Sequence, residues 1–173
     1  VGMDTRISGD MLESALIAGI CSVGAQAVSL GVVPTPAVAH LVRAYNADAG
    51  IVISASHNPV QDNGIKFFNS QGFKLRDDIE LEIENYMTDR WEELPRPTGD
   101  LVGAKTVCEE AVDDYVNFVK TTTDIKLDGI KVAIDCANGA TYKAAPVALT
   151  ELGAEVYAIH REPDGTNINK DCG

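Results

Sequence analysis

Ile51-Val52-Ile53-Ser54-Ala55-Ser56-His57-Asn58-Pro59 is the stretch on which the fold turns. Its first half is a β-branched run bounded by Gly50. A continuous apolar run of this kind fits a strand buried on both faces, as in the sheets of α/β proteins. Its second half is a polar turn at the strand's carboxyl end. Gln61-Asp62-Asn63-Gly64 follows, and Asn-Gly is a strong turn signal. Ile65-Lys66-Phe67-Phe68 is therefore predicted to return as a strand, with Gly72 marking a further turn before Phe73-Lys74-Leu75.

Upstream, residues 11–24 carry apolar side chains at helical spacing, with Ser8 or Asp10 as cap and Gly24 as stop. Residues 27–31 read as a short strand, Pro34 and Pro36 as the frame of a turn, and 37–46 as a helix. Downstream, 77–92 read as an acidic helix with a solvated face. Pro95-Arg96-Pro97-Thr98-Gly99 is the linker candidate, and a helix covers 109–122. A second α/β unit is predicted from a strand at 130–135, a helix at 142–152, a strand at 154–159 and a terminal loop. The join Gly24-Ala25-Gln26-Ala27-Val28 is echoed by Gly153-Ala154-Glu155-Val156-Tyr157. Any α/β protein offers such joins; two copies of one domain would also produce them.

Composition bounds the function. The chain has 173 residues, 45% hydrophobic and 23% charged, an ordinary globular balance. Acidic residues outnumber basic ones 26 to 14, for a net charge of -12. Such a surface repels phosphate backbones and anionic lipid, which argues against nucleic-acid and membrane partners. No apolar run approaches the ~18 residues that span a bilayer. The four cysteines are widely spaced, without a Cys-x-x-Cys pair. Cys21 and Cys136 read as small core residues, and the pattern predicts free thiols in a reducing cytoplasm. The opening at Val1-Gly2-Met3 and the stop at Gly173 suggest a piece of a longer protein.

The candidate chemistry gathers around Ser56. Open α/β sheets place ligands beyond the carboxyl ends of their strands. A serine hydroxyl needs help to act as a nucleophile, and His57 can titrate near neutrality. Lys66 follows the Asn-Gly turn, where a hairpin-like return would bring its ammonium toward the same crevice. Arg6 lies in a loop just before a helix, and both features favour phosphate. A serine, a histidine, a lysine and an arginine suit phosphoryl handling. Read alone, Ser-His-Asn-Pro also describes a polar turn whose side chains bond the backbone. His40 and His160 read as structural or solvated.

Asp4-Thr5-Arg6-Ile7-Ser8, Ser54-Ala55-Ser56-His57-Asn58-Pro59 and Asp62-Asn63-Gly64-Ile65-Lys66-Phe67-Phe68 together resemble the α-D-phosphohexomutases. The Ile-Ser-Ala-Ser-His-Asn-Pro wording and Asn167-Ile168-Asn169-Lys170-Asp171-Cys172-Gly173 look like their bacterial phosphoglucosamine mutase branch. The resemblance implies tandem three-layer α/β/α domains with mixed sheets: domain I at 1–98, a linker and connecting helix at 99–127, and a truncated domain II at 128–173. It implies that Ser56 carries a phosphoryl group and that Mg2+ binds an oxygen of that phosphate. It further implies conversion of glucosamine 6-phosphate to glucosamine 1-phosphate through a 1,6-bisphosphate, toward UDP-N-acetylglucosamine and the cell wall. Arg6 and Lys66 would stabilise transferring charge or aid proton transfer, and His57 would support the phosphoserine site. A homodimer is a further implication. The family's Asp-Gly-Asp metal loop has no counterpart here, so its aspartate ligands are expected beyond this chain, and the piece alone is expected to be inactive. Phosphomannomutase or phosphoglucomutase activity, and a non-catalytic sugar-phosphate module, are the competing readings.

Overall fold

The computed structural model describes residues 1–172; the last residue of the expected second domain, Gly173, lies outside the described residues. The decisive stretch is strand β3, Ala49–Ile53, with Val52 fully buried. It pairs in parallel with β1 (Gly2–Met3) and antiparallel with β4 (Ile65–Asn69). The β3–β4 register sets Ile53 against Ile65 and Val52 against Lys66, so the chain does return as a hairpin. The turn signal acts differently from its usual role. Residues 54–64 form a long connection, and Gly64 is needed for closeness: a Cβ there would sit 2.7 Å from the Ser54 carbonyl oxygen. The backbones meet because Ser54 N–H donates to Gly64 O at 2.8 Å.

On the other side of β1 lies β2 (Ala27–Ser29), which pairs in parallel with β5 (Lys105–Val107). Met3 N–H donates to Gly31 O at 3.0 Å and Leu30 N–H to Val1 O at 2.7 Å, joining the two sets of strands edge to edge. The mixed sheet therefore runs β5-β2-β1-β3-β4. Strand β5 falls within the stretch read as linker; three exposed residues carry no hydrophobic pattern by which a sequence reading would find a strand.

Helix α1 (Gly9–Ser22) packs on β1, β2 and β3. It begins before Met11, and Ser8 does not cap it with its side chain; that hydroxyl donates to Asn63 Oδ1 at 2.6 Å instead. Helix α2 (Thr35–Ala44) starts at the prolines that read as a turn. A first helical turn leaves its N–H groups unbonded, so proline loses nothing there. Ala37, Val38, Leu41 and Val42 of α2 form the main core with Leu30, Val33, Val52 and Ala111. Helix α3 (Asp77–Thr88) buries no residue, and a 3-10 turn at Trp91–Glu93 takes up the rest of the expected helix.

Helix α4 (Ala111–Thr121) packs against both α2 and α5 (Ala144–Glu151). The parallel strands β6 (Lys131–Asp135) and β7 (Glu155–Ile159) flank α5. The echoed joins share one geometry, since Gly24 and Gly153 both take positive φ (90° and 104°) between a helix and a strand. All four cysteines are free; Cys136 is buried, and Cys21 is only half-buried. Among the described residues no helix is long and apolar enough to cross a membrane.

Candidate active site

β3 ends at Ile53, and the next residues build the site. Ser54 is buried and its hydroxyl accepts the Ser56 N–H at 3.1 Å. This bond bends the chain so that Ser56 takes a left-handed φ of 56°. A non-glycine residue held there stores about 1–3 kcal/mol, which surrounding contacts must offset. Ser56, His57, Asn58 and Pro59 are all exposed.

Ser56 and His57 line a cleft of about 310 Å³ together with Asp4, the start of α2 at Pro34–Pro36, the Cys136–Thr141 loop after β6, and Asn169. His57 also borders a second hollow of about 290 Å³, toward Thr166 and Lys170. The cleft thus lies between the two α/β units. Burial pushes the Cys136 thiol up, against the opposing charge of Arg161 and with Asp135 adding to it, so it stays a neutral wall residue.

Arg6 sits at the serine loop, in a role that its sequence does not reveal. It is 4% exposed. Its Nη1 pairs with the buried Asp4 carboxylate, and its Nη2 donates to Asn58 O at 2.7 Å, with longer contacts to Pro59 O at 3.4 Å and Ser56 O at 3.5 Å. The guanidinium therefore grips the loop's backbone and does not line the cleft. Its Nε is buried without a partner, a cost of about 1–3 kcal/mol of the sort that accumulates at functional sites. Lys66 is exposed on β4, two residues along the strand from the loop, and is likewise absent from the cleft wall. The structure brings Ser56, His57 and Asp4 to the cleft, sets Arg6 behind the loop, and leaves Lys66 beside it.

One residue escaped the sequence reading. Asn169 donates its side-chain amide to Ser56 O at 2.9 Å and Asn58 O at 3.0 Å. It lies 113 residues from Ser56, so no local signal links the two; only the Asn-Ile-Asn wording drew notice to its segment. Neighbouring ties hold that segment in place: Ile7 N–H donates to Gly165 O at 2.8 Å, and Thr5 Oγ1 donates to Asn138 O.

The donors at the cleft do not make a magnesium cage by themselves. Mg2+ takes hard oxygen ligands in octahedral array, whereas Asp4 is engaged with Arg6. Among the described residues, Asp135, His160 and Cys172 gather ligand atoms within 4.8 Å of one another. That imidazole and thiol set suits a softer ion, and it lies off the cleft wall.

An exposed serine with a left-handed φ, at the carboxyl end of a buried strand in a mixed α/β sheet, lines a cleft at the place where open α/β sheets put their ligands. Residues 1–93 match the family model described as phosphoglucomutase/phosphomannomutase, alpha/beta/alpha domain I, and the chain belongs to that family. Over its whole length it is 65% identical to the phosphoglucosamine mutase of Ruminiclostridium cellulolyticum and 61% identical to that of Clostridium novyi. It spans 38% of the length of each of these relatives. A solved phosphoglucomutase/phosphomannomutase family protein from Burkholderia thailandensis superposes with a TM-score of 0.79 at 26% identity, over 95% of this chain and 36% of that one.

Proposed function

We propose that this chain is the amino-terminal portion of a phosphoglucosamine mutase, with Ser56 as its phosphoryl carrier. The observation that carries the reading is the Ser56 loop: an exposed hydroxyl at the tip of a buried strand, facing a cleft formed by two α/β units. The identity with phosphoglucosamine mutases over every residue of the chain supports the choice of sugar.

The chemistry is a balanced exchange. The free hydroxyl of glucosamine 6-phosphate attacks the phosphorus carried on Ser56 Oγ, the P–Oγ bond breaks, and the hydroxyl proton passes to Oγ. The bisphosphate then presents its other phosphoryl, Oγ attacks that phosphorus, the bond from phosphorus to the sugar's O6 breaks, and the Oγ proton passes to O6. His57, on the cleft wall beside Ser56, is assigned to support the phosphoserine. Arg6 holds the loop through its carbonyls, which replaces direct charge neutralisation as its first task. Lys66 supplies positive potential from β4. Magnesium, bound through the phosphoserine, belongs to the same proposal for the full-length protein and would neutralise phosphate charge; the residues here give it no further ligand set.

Intact mass of the full-length protein tests this. The mass of one phosphoryl group is expected on the wild type and absent from Ser56→Ala. Coupled assays on glucosamine, glucose and mannose phosphates are expected to favour glucosamine. A Ser56→Ala protein with full turnover would end the proposal, and equal rates on the three sugars would end the choice of substrate.

A further inference from the structure

The serine loop has few bonds of its own. Asn58 N–H reaches Ala55 O at 3.1 Å and Ser56 N–H reaches Ser54 Oγ at 3.1 Å. Asn58 Nδ2 also donates to Asp62 Oδ2 at 3.1 Å and Asp62 N–H to Pro59 O at 3.1 Å, but the bonds to the Ser56 and Asn58 carbonyls come from outside. Arg6 supplies one set, and the other arrives from the second α/β unit through a single carboxamide.

We infer that Asn169 is a positioning residue for Ser56, its side-chain amide fixing the loop by bonding the carbonyls of Ser56 and Asn58. The inference rests on the mutase reading above. An amide NH2 carries two donors, and here each goes to one carbonyl. The reverse orientation would press the amide oxygen against two carbonyl oxygens, so the network fixes which way the group points. A carbonyl has two lone pairs, so Asn58 O accepts from Asn169 and Arg6 at once.

The support for Asn169 is itself well anchored. Its N–H donates to Ala137 O at 2.9 Å, and its neighbour Ile168 is 4% exposed. Its φ of 58° is a left-handed conformation that asparagine tolerates better than most residues. The buried Asn138 braces the same loops: its N–H bonds His160 O at 2.7 Å and its Oδ1 accepts Glu162 N–H at 3.1 Å. Phosphoryl transfer depends on placement of the attacking and leaving oxygens, and a shift on the order of 1 Å costs roughly 100-fold in rate.

Asn169→Asp keeps the size and the left-handed tolerance but turns an oxygen toward two carbonyls. Asn169→Gly removes the amide without backbone strain. In the full-length protein both are expected to lower kcat roughly 10- to 100-fold while KM moves less than about twofold. Amide hydrogen exchange across residues 55–60 is expected to quicken in both, with β3 and α2 unchanged. Wild-type kcat, a loss confined to KM, or unaltered exchange at 55–60 would overturn the inference. A wild type without turnover or phosphoserine would instead remove the mutase reading, and the exchange comparison would still decide whether Asn169 holds the loop.

Discussion

Asp4 and Arg6 form a buried pair whose side chains are 5% and 2% exposed, two residues apart in an irregular loop. Their value is conditional, since each charge is tolerable only beside the other. Arg6→Ala leaves the Asp4 carboxylate buried and removes the grip on Asn58 O. The full-length variant is expected to lose about 3–5 kcal/mol of stability, read from urea denaturation midpoints. A loss below about 1 kcal/mol would mean that water reaches Asp4 freely. At this scale the sequence is a partial guide. A β-branched run followed by Ser-His-Asn-Pro places Ser56 and His57 at a strand's end, and both line the cleft. The partners of Arg6 and Asn169 are carbonyl oxygens, which every residue possesses, so no residue type announces them.

At the scale of elements, close packing of α2 on β3 depends on Gly50. A Cβ there would lie 2.2 Å from Val42 Cγ2 and 3.1 Å from Val38 Cγ1, both in the main core. Gly50→Ala is expected to cost about 1–3 kcal/mol through overpacking, seen as a lower melting temperature; an unchanged melting temperature would show that α2 slides without penalty. His40 on α2 stacks against Phe118 of α4 with ring centroids 3.6 Å apart. Loss of water holds its pKa below the ordinary 6.5, Arg43 adds to this, and Asp114 opposes it. The unfolded chain therefore takes up a proton first as pH falls. The His40 contribution is complete above pH 6.5 and is lost below it, toward the lowered folded value. The stability of His40→Phe relative to wild type is expected to rise between pH 7.5 and pH 5.5. A pH-independent gap would show that His40 is not linked to folding. The long periodic elements were legible because burial imposes their spacing. The short strand β5 was not, because its pairing with β2 is chosen by tertiary contact and not by pattern.

At the scale of the molecule, α4 joins the two units. Val116, 2% exposed, packs with Ala144 and Ala148 of α5, and Ala111 at the other end of α4 enters the main core. Val116→Ala is expected to cost about 1.5–3 kcal/mol and to raise exchange in α5 before the five-stranded sheet is affected. Simultaneous loosening of both units would instead mark a single cooperative body. The second α/β unit could be read from the strand–helix–strand pattern over 130–159, but its meeting with the serine loop could not, since it arises from bonds spanning 113 residues. That span has a consequence for synthesis. A ribosome releases the first sheet and the serine loop long before Asn169 emerges, and domains begin folding in that order. The nascent chain therefore passes through a stage in which its first sheet has formed while the Ser56 loop still lacks the bonds from Asn169.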